Sequence, residues 1–313
     1  MTKERIVILL PFLLLSIIVF RYIAPKSDAY RVIENNSFWK WKTFDDNTYD
    51  IILSGDSRIY RGVSPSAMNE VLKEKSIINF AYGSAGYSEV MFREINRRID
   101  DNAKGRMIVL GVTPLTLTPE GGYNYHLNFE LKTKREELLE LKYFKPVLSF
   151  FVPYTLAQLE RKTKGKEFYT SFHQEYIHGG WVATHEDKPW PESALKPYST
   201  RFTNNQVSDK LLKGLLNQVN EWTKKGITVI ALRPPTTKEM VALEDSLSGY
   251  NEQLIRKELE LNGANWLDFN KNHYFSYDGS HLQKESAIRF SKDLAKKLRI
   301  ISICPLQKKK GGF

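Results

Sequence analysis

Five short apolar runs, each stopped by glycine, proline or a polar turn residue, recur along the chain. They are YDIILSG at 49–55, SIINFAYG at 76–83, RMIVLGVTP at 106–114, GITVIALRPP at 226–235 and ANWLDF at 264–269. Unbroken apolar runs of this length, as opposed to strict alternation, mark strands covered on both faces, which is the setting of a parallel sheet. Between them the apolar positions recur at helical spacing. Ser64 and Pro65 read as an N-cap and a first helical position ahead of Met68, Val71 and Leu72. EVMFREINRRI at 89–99, residues 207–225, residues 251–261 and a last helix from Lys284, with Ala287, Phe290, Leu294 and Leu298 along one face, complete the set. Strand and helix alternate five times, and that order predicts a doubly wound α/β domain over residues 49–300.

Residues 115–206 break the rhythm. The stretch is too long for a connecting loop and reads as an insertion at the carboxyl end of the third strand, the edge where open α/β sheets bind ligands. It is rich in rings, among them Tyr123, Tyr125, Phe129, Trp181, Trp190 and Tyr198. Residues 25–48 mix polar residues, proline and tryptophan without periodicity and read as a tether, and residues 301–313 read as a C-terminal tail.

Ahead of the tether, Lys3 and Arg5 precede an apolar run from Ile6 to Phe20. At about 1.5 Å per residue this run covers roughly 22 Å, short of the ~30 Å hydrocarbon core, and continuing it to Ala24 with Arg21 snorkelling brings it to spanning length. Residues 1–24 are therefore read as an uncleaved transmembrane anchor. A cleaved signal peptide with a weak site at SDAY, and a buried core helix, are the alternatives. The positive-inside rule puts Lys3 and Arg5 in the cytoplasm, so the domain is expected on the periplasmic or extracellular side of a bacterial cytoplasmic membrane, held by a single pass.

Composition narrows the partners. The net charge is +10, but Lys and Arg alternate with Glu and Asp, as in KTKREELLELKYFK, and three of the charges are Lys308, Lys309 and Lys310 in the tail. With no basic block, nucleic acid is not expected. Cys304 is the only cysteine, so no internal disulfide can form. His178, His185, Glu186 and Asp187 lie close together without the HExxH spacing, and neither GxxxxGK nor GxGxxG occurs, so no metal and no nucleotide cofactor is expected.

Ser57 sits where the first strand ends. A serine hydroxyl becomes a nucleophile only when a base takes its proton, and YDGSHL supplies one: Asp278, three residues before His281, can reach Nδ1 and leave Nε2 for the serine. The plain alternatives are a strand-end serine, a capping histidine and an aspartate in a turn. Asp56 reads as a turn residue. Arg58 could meet an anionic acceptor or simply be salt-bridged.

Gly55-Asp56-Ser57 and Asp278-Gly279-Ser280-His281, at opposite ends of a five-strand α/β pattern, resemble the first and last blocks of the SGNH/GDSL hydrolase superfamily. The resemblance covers residues 49–114 and 226–298 and leaves out the insertion. It implies a flavodoxin-like five-stranded sheet, a Ser57–His281–Asp278 triad, ester chemistry and no cofactor. It also implies oxyanion donors from a glycine after the second strand and an asparagine after the third. Gly83 and Gly86 are candidates for the first, Gly86 being preferred for its local pattern, and Thr113 stands where the asparagine is expected. Losing one such donor costs about 10²- to 10³-fold in rate. Anchor, GDS, DxxH, missing Asn and large insertion together are similar to the anchored SGNH-like proteins of alginate acetylation and teichoic-acid D-alanylation. That resemblance implies a cell-surface glycan acceptor and a membrane-bound O-acyltransferase partner. A water-using carbohydrate or lipid esterase and a noncatalytic glycan-binding assembly subunit are the rival readings.

Overall fold

The computed structural model describes residues 15–16, 35–101, 104–139 and 171–303. Five parallel strands form the central sheet: β1 (Ile51–Ser54), β2 (Ile77–Asn79), β3 (Met107–Gly111), β6 (Thr228–Leu232) and β7 (Asn265–Trp266). The two remaining strands, β4 (Phe172–Ile177) and β5 (Trp181–Glu186), make a separate antiparallel hairpin. The sheet order is β2-β1-β3-β6-β7, with Ile51 opposite Ile77 on one side and Met107 on the other. Counting sheet strands alone, this is the 2-1-3-4-5 order compatible with a flavodoxin-like fold. Strands β1, β2 and β3 are buried at every residue, which is why each is an apolar run, broken only by Ser54 and Asn79 at the carboxyl ends of β1 and β2.

The reversal of direction after β2, combined with right-handed crossovers, sends helices to both faces. Helices Pro65–Leu72 and Lys284–Ile303 pack on each other. Phe92, on helix Glu89–Arg98, meets Trp222 of helix Asp209–Lys224 edge-on at 5.9 Å, and the Trp222 indole N–H donates to Asn96 at 2.6 Å. Ser64 is the N-cap of the Pro65 helix, its hydroxyl accepting the Ala67 N–H, and Asn251 caps helix Glu252–Leu261 in the same way.

The tether reading needs correction in its second half. Asn35–Phe44 is a helix whose Phe38, Trp39, Lys42 and Thr43 are buried in the domain. Phe38 packs on Tyr176 and Trp39 on Tyr60, at 5.2 and 5.4 Å between ring centroids. Its inner face is built from large rings and a lysine instead of aliphatics, so no apolar stripe announced it. The Lys42 ammonium lies 5.0–5.7 Å from the Phe38, Trp39, Tyr60 and Tyr82 rings and donates to the Ala81 and Gly180 carbonyls at 2.6 and 3.0 Å. Burial, helped by Arg98, pushes its pKa well below the ordinary lysine value.

The insertion contributes the β4–β5 hairpin, docked by its tip. Gly180 has a φ of +89°, and a Cβ there would lie 2.2 Å from the Asn79 carbonyl oxygen; the neighbouring Gly179 carbonyl accepts the Asn79 N–H at 2.7 Å. Trp181 donates its indole N–H to the Arg61 carbonyl at 2.8 Å, so the insertion is joined to the segment that follows Ser57. The proposed anchor at 1–24 lies outside the described residues except for Leu15 and Ser16, as does the tail from Cys304 on. Among the described residues no helix is long and apolar enough to cross a membrane.

Candidate active site

β1 delivers Ser57 through a tight turn. Gly55 adopts φ +151°, and a Cβ there would fall 2.8 Å from Ile59 Cγ1 and 3.1 Å from the Gly111 carbonyl oxygen, so only glycine fits. Asp56 then caps the short helix Ser57–Gly62: Oδ1 accepts the Arg58 N–H at 2.9 Å, while Oδ2 accepts the Thr113 hydroxyl at 2.7 Å. The GDS aspartate is thus a turn residue, tying the nucleophile's turn to the end of β3.

From the far end of the sheet, the loop before helix Lys284–Ile303 brings the other two side chains. Ser57 Oγ and His281 Nε2 are 2.7 Å apart, and His281 Nδ1 and Asp278 Oδ2 are 2.7 Å apart. Asp278 Oδ1 accepts the backbone N–H groups of Ser280 and His281 at 2.8 and 2.7 Å, which aims the carboxylate at the ring. The loop is held from several directions. Ser276 donates its hydroxyl to the His281 carbonyl at 2.8 Å, and the Thr237 N–H donates to the Gly279 carbonyl at 3.1 Å. Gly279, at φ +94°, passes so close to Pro191 that a Cβ would lie 2.1 Å from its carbonyl oxygen.

Electrostatics suit a neutral base beside an ionised acid. Burial lowers the His281 pKa below its ordinary 6.5, opposed by Asp278 and assisted by Arg61. Burial would raise the Asp278 carboxyl, but the His281 ring and the two backbone N–H groups outweigh it and hold the pKa at about 2. With Asp278 accepting from Nδ1–H, Nε2 carries the lone pair that faces the Ser57 hydroxyl.

The remaining candidates fall elsewhere than expected. Gly86 donates its N–H to Asn124 Oδ1 at 3.2 Å, and a Cβ on it would lie 2.5 Å from the Thr116 carbonyl oxygen; it is a close-packing glycine whose donor is already taken. Thr113 gives its hydroxyl to Asp56 and its N–H to Thr116 Oγ1 at 3.1 Å, so neither donor remains for a substrate. Gly83 fits better. The Tyr82 N–H donates to the Gly55 carbonyl at 3.2 Å, which sets Gly83 beside the nucleophile turn, and the N–H groups of Gly83 and Ser57 have no acceptor among the described residues.

Arg58 does not face an acceptor. Its guanidinium is buried in a two-bond pair with Glu244 (2.7 and 3.1 Å), and Nε donates to Ser280 Oγ at 3.0 Å. Burial would lower its pKa, but Glu244 raises it and keeps the group charged. Arg233 holds the other side of Glu244 at 2.9 Å, and the Ser280 hydroxyl donates to Tyr198 at 2.8 Å. This buried cluster, centred on Glu244 in helix Lys238–Leu247, was not marked in the sequence: Glu244 and Asp245 are adjacent carboxylates after the apolar MVAL, and nothing local says that the first is fully buried and the second exposed.

Beside the triad, a cavity of about 370 Å³ is lined by Arg61, Lys188, Trp190, Tyr277 and Asp278 among others. Tyr277 stacks on the His281 ring at 5.9 Å and 17°, and its hydroxyl accepts from Arg61 at 2.5 Å. Among the described residues no three His, Cys, Asp or Glu side chains converge as metal ligands; His173 and His185 instead share Asp187 at 3.1 and 3.2 Å on the exposed face of the hairpin. Comparison of the sequence with protein-family models and with curated proteins returned no match.

Proposed function

We propose that this protein is an extracytoplasmic SGNH-type serine O-acyltransferase that carries an acyl group on Ser57 and passes it to a cell-surface glycan. The observation that carries the reading is the unbroken Ser57–His281–Asp278 relay, two contacts of 2.7 Å each, the first of them between residues 224 positions apart. In this reading His281 Nε2 takes the Ser57 proton as Oγ attacks the donor carbonyl, and the oxyanion meets the Ser57 and Gly83 N–H groups. The tetrahedral species collapses, and the leaving group departs with the proton from His281. A glycan hydroxyl then gives its proton to His281 and attacks the Ser57 ester; the ester bond moves to the sugar and the serine regains its proton.

One feature argues against a fast general esterase. Thr113, where the superfamily keeps an asparagine donor, is consumed by Asp56 and Thr116, and a site short of one oxyanion donor is a slow general esterase, by about 10²- to 10³-fold. By resemblance, the acyl group arrives from a multispanning membrane-bound O-acyltransferase, which fits the anchor read in residues 1–24.

Acetate release and acetyl transfer to a glycan, measured in parallel for the native protein and Ser57→Ala, test the proposal. Transfer that disappears in Ser57→Ala supports it. Serine-dependent hydrolysis without transfer replaces it with the esterase reading, and identical behaviour of the two proteins replaces it with a binding subunit.

A further inference from the structure

Five aromatic side chains of the described residues are exposed by half or more, and four of them gather around the site. Tyr123, Tyr125, Phe129 and Trp190 are 62–68% exposed, and all line clefts near the triad; Phe275 is the exception. The clefts are contiguous. The 370 Å³ cavity beside Asp278 shares Arg61 with a second of about 520 Å³, and the second shares Tyr125 and His126 with a third of about 430 Å³ that begins at Gly83. The Ser57 helix lends Arg61 to the first two clefts and Tyr60 to the second, while Asp278 lines the first and Gly83 the third, so the clefts flank the triad.

We propose that this trough is an extended binding site for several consecutive, uncharged sugar rings of a polysaccharide, so that Ser57 acts on the interior of a chain. The inference rests on the reading of Ser57 as an acyl carrier and adds the substrate class and the surface that holds it. Flat rings standing free of the core are costly to leave in water unless they meet a ligand with flat apolar faces, and a pyranose offers two such faces with hydroxyls around its rim. Tyr123 and Tyr125 are nearly parallel, 6.4 Å apart at 22°, and form a ridge between two of the clefts. The polar lining supplies the partners a hydroxyl rim needs. Asn35 and Gln174 face the second cleft, and Ser84 the third. Each already accepts one bond, from Trp39, Tyr176 and Arg201 respectively, and an acyl tail or a lipid would offer no acceptor to their own amide and hydroxyl donors.

Charge selects among glycans. Arg61 and Lys188 are interleaved with Glu186 and Glu130 in the same trough, and Arg201 is already tied to Glu120. Burial lowers the His126 pKa to about 4, so that ring adds no positive charge to the trough at neutral pH. A trough of mixed sign suits hydroxyls and opposes a polyanion, which would meet a carboxylate for each cation it found.

The test is calorimetric binding to the full-length Ser57→Ala protein in detergent, with maltohexaose, cellohexaose, chitohexaose and hexagalacturonate as probes. Saturable binding of a neutral hexasaccharide, weakened about tenfold by Tyr125→Ala and by Tyr123→Ala and unchanged by Leu254→Ala on an exposed helix face, is the expected result. Both tyrosines are exposed, so their truncation leaves the fold intact. No binding by any neutral probe, equal or tighter binding of hexagalacturonate, or indifference to both tyrosine changes overturns the proposal. Because Ser57→Ala cannot turn over, the readout stands apart from catalysis. Sugar binding without acyl transfer removes the transferase reading alone, and acyl transfer without sugar binding removes the trough alone.

Discussion

Arg58 Nε and Ser280 Oγ are hydrogen-bonded at 3.0 Å, joining the residue after Ser57 to the residue before His281. Two chain segments 222 residues apart are thus fixed to each other one position away from the reacting pair. The guanidinium that makes this link is itself oriented by Glu244, with Arg233 on the far side. In the proposed reading the cluster is a positioning device for that pair.

Arg58→Lys keeps the charge but cannot hold Glu244 and Ser280 together, because the ammonium lacks the planar fork. A misplacement of about 1 Å costs about 10²-fold in rate. The expected outcome is a kcat lowered by that order with KM little changed, read from steady-state kinetics. A rise in KM alone would point to substrate contact instead.

Glu244→Ala leaves the Arg58 and Arg233 guanidiniums buried without their shared carboxylate. Breaking such a cluster costs about 3–5 kcal/mol. Urea denaturation should show a loss of that size, whereas a change under about 1 kcal/mol would mean the cations find other partners or water.

Thr113→Val separates two roles. If Thr113 braces Asp56, as its 2.7 Å bond indicates, the variant loses about 1–3 kcal/mol of stability and retains most of its turnover. If it donates to the oxyanion, kcat falls by about 10²- to 10³-fold with stability nearly unchanged. Parallel melting and kinetics distinguish the two, and the first outcome is expected.

The pH profile has a defined sign. His281 must be neutral to accept the serine proton, and burial lowers its pKa below the ordinary 6.5, so the midpoint of the acid limb of acylation should fall below that of a free imidazole. For Asp278 the folded pKa of about 2 lies below the ordinary 3.8. Its contribution to stability, on the order of 2 kcal/mol, is therefore fully present above 3.8 and lost as pH falls from there toward 2. Asp278→Asn should flatten that part of the stability curve and, by letting the ring take the wrong tautomer, cut kcat by about 10⁴-fold.

What could be read in advance divides along physical lines. The five sheet strands and the helices capped by Ser64 and Asn251 follow from local rules, apolar runs and caps, and the structure has them. Ser57, Asp278 and His281 were found because their chemistry demands one another, and they meet. Helix Asn35–Phe44 was missed because its buried face consists of rings and Lys42, and the β4–β5 hairpin because strand 172–177 is half-buried and mixed in polarity while the buried part of 181–186 is only the four residues Trp181 to Thr184. The local pattern prefers Gly86 over Gly83, and the Gly86 N–H is already given away. Both are glycines in one loop, and what separates them is the Asn124 side chain, 38 residues on, that takes the Gly86 N–H.

The most direct measurement is to trap the acyl group. The full-length protein is mixed with p-nitrophenyl acetate, quenched in acid and digested, and the peptide containing Ser57 is sequenced by mass spectrometry. One acetyl group should sit on Ser57, in a stoichiometric burst that vanishes in Ser57→Ala and in His281→Ala. An unmodified Ser57, or acetylation that persists unchanged when His281 is removed, would contradict the account.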